Sequence, residues 1–60
     1  MPDYHFYILD RENHLIRAEL VSCPSDDDAL AAAAELVNDQ HGVEVWERVR
    51  LVGKLAPKES

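Results

Sequence analysis

Three consecutive carboxylates, Asp26, Asp27 and Asp28, stand in "PSDDDALAAAAEL", between Pro24 and an alanine run. Clustered carboxylates are the residue type that holds hard cations through oxygen, so calcium and magnesium are the first chemistry to consider. A calcium loop opening at Asp26 needs an oxygen ligand at its fifth place, glycine at its sixth and Glu at its twelfth. Those places hold Leu30, Ala31 and Val37, and the match fails. A two-carboxylate magnesium site needs a phosphate-bearing substrate and a cradle for it, and the chain has no Gly-rich loop. The aspartates read instead as a helix start, where the dipole favours each acid by roughly 0.3–1 kcal/mol. Ser25 is placed to cap that helix by accepting from the Asp28 N–H, and Pro24 blocks continuation backwards.

The other reactive side chains are few. His5, His14 and His41 share no zinc-like spacing with each other or with Cys23, so no metal or cofactor is expected. A nucleophilic Cys23 would need a device that lowers its pKa, and none is readable beside it. It reads as a small apolar residue leaving a strand. A core this thin is expected to leave little room for a ligand pocket, whose usual scale begins near ~300 Å³. No enzyme is expected.

Composition sets wider bounds. Sixty residues make one domain, and a domain of that size buries only about 60% of the surface its unfolded chain exposes. The margin of stability is small, which makes self-association reasonable. The net charge of −6 argues against general phosphate-backbone binding, which draws on Lys and Arg. Charge is also uneven. Residues 1–47 carry eleven acids against Arg11 and Arg17, a balance of −9, whereas residues 48–60 carry Arg48, Arg50, Lys54 and Lys58 against Glu59, a balance of +3. A lone cysteine points to a reducing compartment. With no signal-like N-terminus and no long apolar stretch, a cytoplasmic protein that does not bind membranes is expected.

The pattern along the chain supplies the elements. "YHFYIL" (Tyr4–Leu9) reads as a strand with Tyr4, Phe6 and Ile8 on one face and His5, Tyr7 and Leu9 on the other. A loop of Arg11, Glu12 and Asn13, with Asn13 at positive φ, leads into "HLIRAELV". That loop pairs Leu9 with Leu15, Tyr7 with Arg17 and His5 with Glu19 on one face, and Ile8 with Ile16 and Phe6 with Ala18 on the other. The helix from Ser25 shows an apolar stripe of Ala29, Leu30, Ala33, Leu36 and Val37, and Gly42 is expected just beyond its C-terminus. "VEVWERVRLVGKL" then reads as two strands turning near Glu47 and Arg48, with Val45 against Val49 and Val43 against Leu51, or both shifted by one. Residues 56–60 are expected to fray. A right-handed crossover between the second and third strands gives an antiparallel ββαββ sheet ordered 2-1-3-4, with one helix on one face. The fold class is α+β, a two-layer sandwich.

The same pieces, "YHFYILD", "HLIRAE", "DDDALAAAAELV" and "VEVWERVRLVGKL", resemble a family of short uncharacterised proteobacterial ββαββ proteins. The likeness covers nearly the whole chain and implies this fold. It implies no activity.

One helix roofs only one side of such a sheet. Alternation assigns His5, Tyr7, Leu9, Leu15, Arg17, Trp46, Arg50 and Val52 to the other side. A water-facing sheet side is ordinarily polar, whereas this one collects aromatic rings, aliphatics and guanidinium groups of the kinds enriched at binding hot spots. The expected function is therefore a non-catalytic module that self-associates, as a homodimer, or binds another protein. It would use that face or the edge strands. Single-stranded nucleic acid stacking on the same rings is the alternative, disfavoured by charge. A cross-strand cluster without a partner is the plain structural explanation of the same residues.

Overall fold

A computed structural model describes residues 2–58. Its elements are β1 (Asp3–Asp10), β2 (Leu15–Ser22), α1 (Asp26–Ala34), β3 (His41–Glu47) and β4 (Arg50–Leu55). The strands form one antiparallel sheet in the order β2-β1-β3-β4, the expected ββαββ architecture. Among the described residues no helix is long and apolar enough to cross a membrane.

The first turn follows from two side chains. Asn13 takes the left-handed conformation at φ 65°, which Asn tolerates better than most residues. The Asp10 carboxylate accepts from the backbone N–H groups of Glu12 (2.8 Å) and His14 (2.9 Å). These bonds, the His14 backbone N–H foremost, hold the Asp10 carboxyl below its ordinary range. Leu9 pairs with Leu15 as the turn dictates.

Beyond that pair the register slips. A bulge between Ile8 and Leu9 leaves Ile16 without a partner, and Ile8 faces Arg17, Tyr7 faces Ala18, Phe6 faces Glu19 and His5 faces Leu20. A slip of one residue turns every side chain to the opposite side. Arg17 and Glu19 therefore lie on the side that carries the helix, and Ala18 and Leu20 lie on the open side. The cause is the far end of β2. Val21 packs against the core and Cys23 is buried in it, which fixes the parity of β2 from its C-terminus while Asn13 fixes it from the turn. The bulge reconciles the two.

The helix starts as expected, with the Ser25 side chain accepting from the Asp28 N–H and three acids in the first turn. It ends early, at Ala34. The bonds from Glu35, Leu36 and Val37 reach back only three residues, to Ala32, Ala33 and Ala34, tightening the last turn. The Asn38 side chain then accepts from the Gln40 and His41 N–H groups and turns the chain into β3. Gly42 is consequently a strand residue opposite Leu9, not a helix terminator. A Cβ there would meet the Leu55 carbonyl oxygen at 2.5 Å and Pro57 Cδ at 2.9 Å, so its lack of a side chain is what lets the chain after β4 lie close. That chain is held at Lys58, whose N–H donates to the Asn38 oxygen at 2.9 Å. Residues 56–58 belong to no helix or strand, and Glu59 and Ser60, the rest of the segment expected to fray, lie outside the described residues.

The second hairpin is displaced further from expectation. Glu47 pairs with Arg50 across Arg48 and Val49, Val45 pairs with Gly53 and Val43 with Leu55. The turn is tighter than predicted because Arg48 adopts φ 56°, a conformation no sequence signal marks in arginine. A second bulge leaves Val52 unpaired between Leu51 and Gly53. Val52 packs against the core, and Gly53 lies beneath Leu30 of the helix.

The core is Tyr4, Phe6 and Ile8 of β1, Val43 and Val45 of β3, Ala29 and Ala33 of α1, and Cys23. The two alanines are fully buried and bring the helix backbone down onto the sheet. It rests chiefly on β3 and β4.

Candidate functional site

The corrected register defines the open side of the sheet row by row. The first row crosses all four strands as Leu20, His5, Trp46 and Leu51. A second row reads Ala18, Tyr7, Glu44 and Lys54, and a third pairs Leu15 with Leu9 and Leu9 with Gly42. Leu20 is 63% exposed and Leu51 49% exposed, so the first row ends in bare aliphatic side chains at both edges. The rings between them are half-buried. His5 and Tyr7 stack at 6.1 Å with their planes 11° apart. The Trp46 indole N–H donates to Glu44 at 3.1 Å, and Lys54 reaches the same carboxylate at 3.5 Å. Trp46 is thus held by its own strand's acid, and it is the cross-strand partner of His5.

Of the residues the sequence assigned to this surface, His5, Tyr7, Leu9, Leu15 and Trp46 are on it. Arg17, Arg50 and Val52 are not. Arg17 is turned to the helix-bearing side by the first bulge and pairs there with Glu19 at 2.8 Å. Val52 is drawn into the core contacts by the second. Ala18, Leu20, Glu44, Leu51 and Lys54 complete the surface and were not singled out. Their signal was indirect, for each is the cross-strand neighbour of an aromatic or acidic residue on the face.

Arg50 has a structural post on the helix side. Its guanidinium donates two bonds to Asp26, at 3.1 and 3.0 Å, and a third to Glu47 at 2.6 Å. The buried Tyr4 hydroxyl donates to the same Asp26 carboxylate at 2.7 Å. Asp26 therefore does more than complement the helix dipole, because it ties the start of α1 to β1 and β4 at once. Arg50 first, and then the Tyr4 hydroxyl, hold the Asp26 carboxyl below its ordinary value of 3.8. Bonded to that carboxylate, the Tyr4 hydroxyl is pushed up to about 12.

Both shifts have consequences for stability against pH. The folded Asp26 gives up its carboxylate form less readily than the unfolded chain does, so its contribution is complete above pH 3.8 and lost as the pH falls through the lower folded value. Tyr4 works at the other end, its contribution complete below pH 10.0 and lost as the pH rises toward about 12. In thermal melts from pH 7 to pH 2 (~2–7 spans the carboxylate range), the Tm gap between the wild type and Asp26→Asn should be widest at neutral pH. It should narrow below pH 3.8. A gap constant with pH would show that the carboxylate's charge is not what ties the elements together.

No protein-family model, curated protein or solved structure matches this chain. The surface must be judged on its own geometry.

Two depressions open to solvent flank the sheet. One of about 500 Å³ is lined by Pro2, Asp3, His5, Leu20, Glu47 and Arg48, at the Leu20 end of the first row. The other, about 340 Å³, lies among Asp10, Arg11, Glu12, Asp39 and Gln40, where Arg11 donates to the Asp39 backbone oxygen. Both exceed the volume expected of so thin a core, and both are surface grooves, not enclosed cavities. Among the described residues no group of three or more His, Cys, Asp or Glu is arranged to hold a metal ion. Cys23 is free and buried, with its sulfur among core side chains.

Proposed function

We propose that the chain is a non-catalytic interaction module that docks a protein surface through the open side of its sheet. The observation that carries this reading is the first row, a band of Leu20, His5, Trp46 and Leu51 running from one edge of the sheet to the other. Two of its members are half or more exposed or close to it, and the ion pair of Glu44 and Lys54 borders it. An apolar centre with aromatic anchors and a polar rim is the anatomy of a docking surface. The buried lone thiol fits a reducing, cytoplasmic setting.

The nucleic-acid alternative loses support from the same register. With Arg17 and Arg50 on the helix side, Lys54 is the one lysine or arginine in the described rows of the face, and Glu44 already engages it.

A photo-crosslinking amino acid placed at Leu51 or at Leu20, compared with one at Asp27 on the helix, tests the proposal. Protein adducts are expected from the two sheet positions, suppressed by excess wild-type chain and not by excess Trp46→Ser chain. Adducts of equal yield from Asp27, or competition indifferent to Trp46, would sink it.

A further inference from the structure

We infer that two copies of this chain join edge to edge, β2 against β2, around a two-fold axis at Ala18, so that two four-stranded sheets become one of eight strands. The inference rests on the reading of an interaction module and names its partner as a second copy.

Two strands of the sheet have a free edge, and they are not equivalent. β4 is six residues long, is interrupted by the bulge at Val52, and carries Arg50 and Lys54, each engaged within the chain. β2 is eight residues long and, beyond its own bulge at Ile16 near the turn, keeps an unbroken register from Arg17 to Ser22. The Cys23 N–H donates to the Pro2 oxygen, which sets the phase of the ladder. Backbone groups of Arg17, Glu19 and Val21 turn toward β1, and those of Ala18 and Leu20 turn to the free edge. Such a row of unpaired donors and acceptors is a template for another strand.

The charges on that edge select a copy of the same chain. Antiparallel pairing centred on Ala18 places Arg17 opposite Glu19 of the second copy, and Glu19 opposite its Arg17. Within one chain these two already pair at 2.8 Å while their side chains stay 60% and 40% exposed. Association would join two such pairs into a ring of four alternating charges, and opposite charges directly across strands are favourable. Small alanines meet at the axis on the open side. Other centres do worse, because an axis at Glu19 sets carboxylate against carboxylate and an axis at Leu20 sets Glu19 against Val21. Joined this way, the two open sides form one continuous face.

The test is sedimentation equilibrium on R17E, on E19R, on their equimolar mixture and on the R17E/E19R double variant. Both positions are exposed at their side chains, and circular dichroism checks that each variant folds. The wild type is expected to dimerise, and each single variant to associate at least roughly tenfold more weakly. The mixture sets two carboxylates against two guanidinium groups and should recover dimerisation, as should the double variant. A wild type that stays monomeric up to ~1 mM, or single variants that dimerise like the wild type, would overturn the inference. If W46S abolishes dimerisation while the charge variants do not, the copies meet through the open face. That outcome overturns the edge pairing and leaves the docking role standing, which the crosslinking experiment decides separately.

Discussion

Phe6→Ala is expected to cost about 3–5 kcal/mol, the usual range for truncating a buried phenylalanine. Phe6 is 1% exposed and sits in the central strand opposite Val45, with strands hydrogen-bonded on both sides. A domain of this length has a total stability on the order of 3–9 kcal/mol. The loss therefore removes between about a third of it and all of it, and the variant should unfold at a markedly lower urea concentration and temperature than the wild type. Urea titration followed by Trp46 fluorescence measures this directly. The contrast is Leu20→Ala on the exposed end of the first row, where a change within about 0.5 kcal/mol is expected. A Phe6→Ala midpoint close to the wild type would mean that the core is not where the burial places it.

The two glycines give a second, sharper contrast. Neither has positive φ, so alanine is conformationally permissible at both, and the outcome turns on space. At Gly42 a Cβ meets backbone, the Leu55 carbonyl oxygen at 2.5 Å, and the ring of Pro57. Neither can swing aside without lifting the end of β4 and the chain that follows. At Gly53 the obstacle is Leu30 Cδ2 at 2.7 Å, the far end of a flexible side chain that is itself only half-buried. Gly42→Ala should therefore cost at least the ~1–3 kcal/mol typical of overpacking, and it should release Lys58 from Asn38. Gly53→Ala should cost less than about 1 kcal/mol, offset in part by the poor strand propensity of glycine. Thermal melts decide the ranking, and amide exchange at Lys58 reports the release. Equal losses at the two sites would contradict the close approach at Gly42.

Much of the architecture was readable from particular residues. Asn13 announced a left-handed turn residue, Ser25 with three aspartates announced a helix start, and the two hairpins around one helix left few topologies open. What could not be read was parity. Alternation is a local rule, and each bulge reverses it for everything beyond. Ile16, Ala18 and Leu20 looked like a core-facing set because they alternate with Arg17 and Glu19. The core instead claimed Val21 and Cys23, and the helix lies over β3 and β4, so the helix-side surface of β2 can carry charge. Arg50 was misplaced for a related reason. Its partner Asp26 is 24 residues away, and no spacing rule links a strand arginine to the first turn of a helix. The centre of the surface, His5, Tyr7 and Trp46, survived because β1 and β3 pair without interruption from His5 to Asp10.

That uninterrupted seam also orders the assembly of the molecule. Each hairpin closes over a turn of a few residues, whereas β1 and β3 meet only after the whole of β2 and α1 has been spanned. Closing so large a loop is an entropic toll that local turns avoid. The pairing of β1 with β3 is thus the contact with the largest loop to close, and Asp26, bonded to Tyr4 on one hairpin and to Arg50 on the other, ties the two hairpins across it.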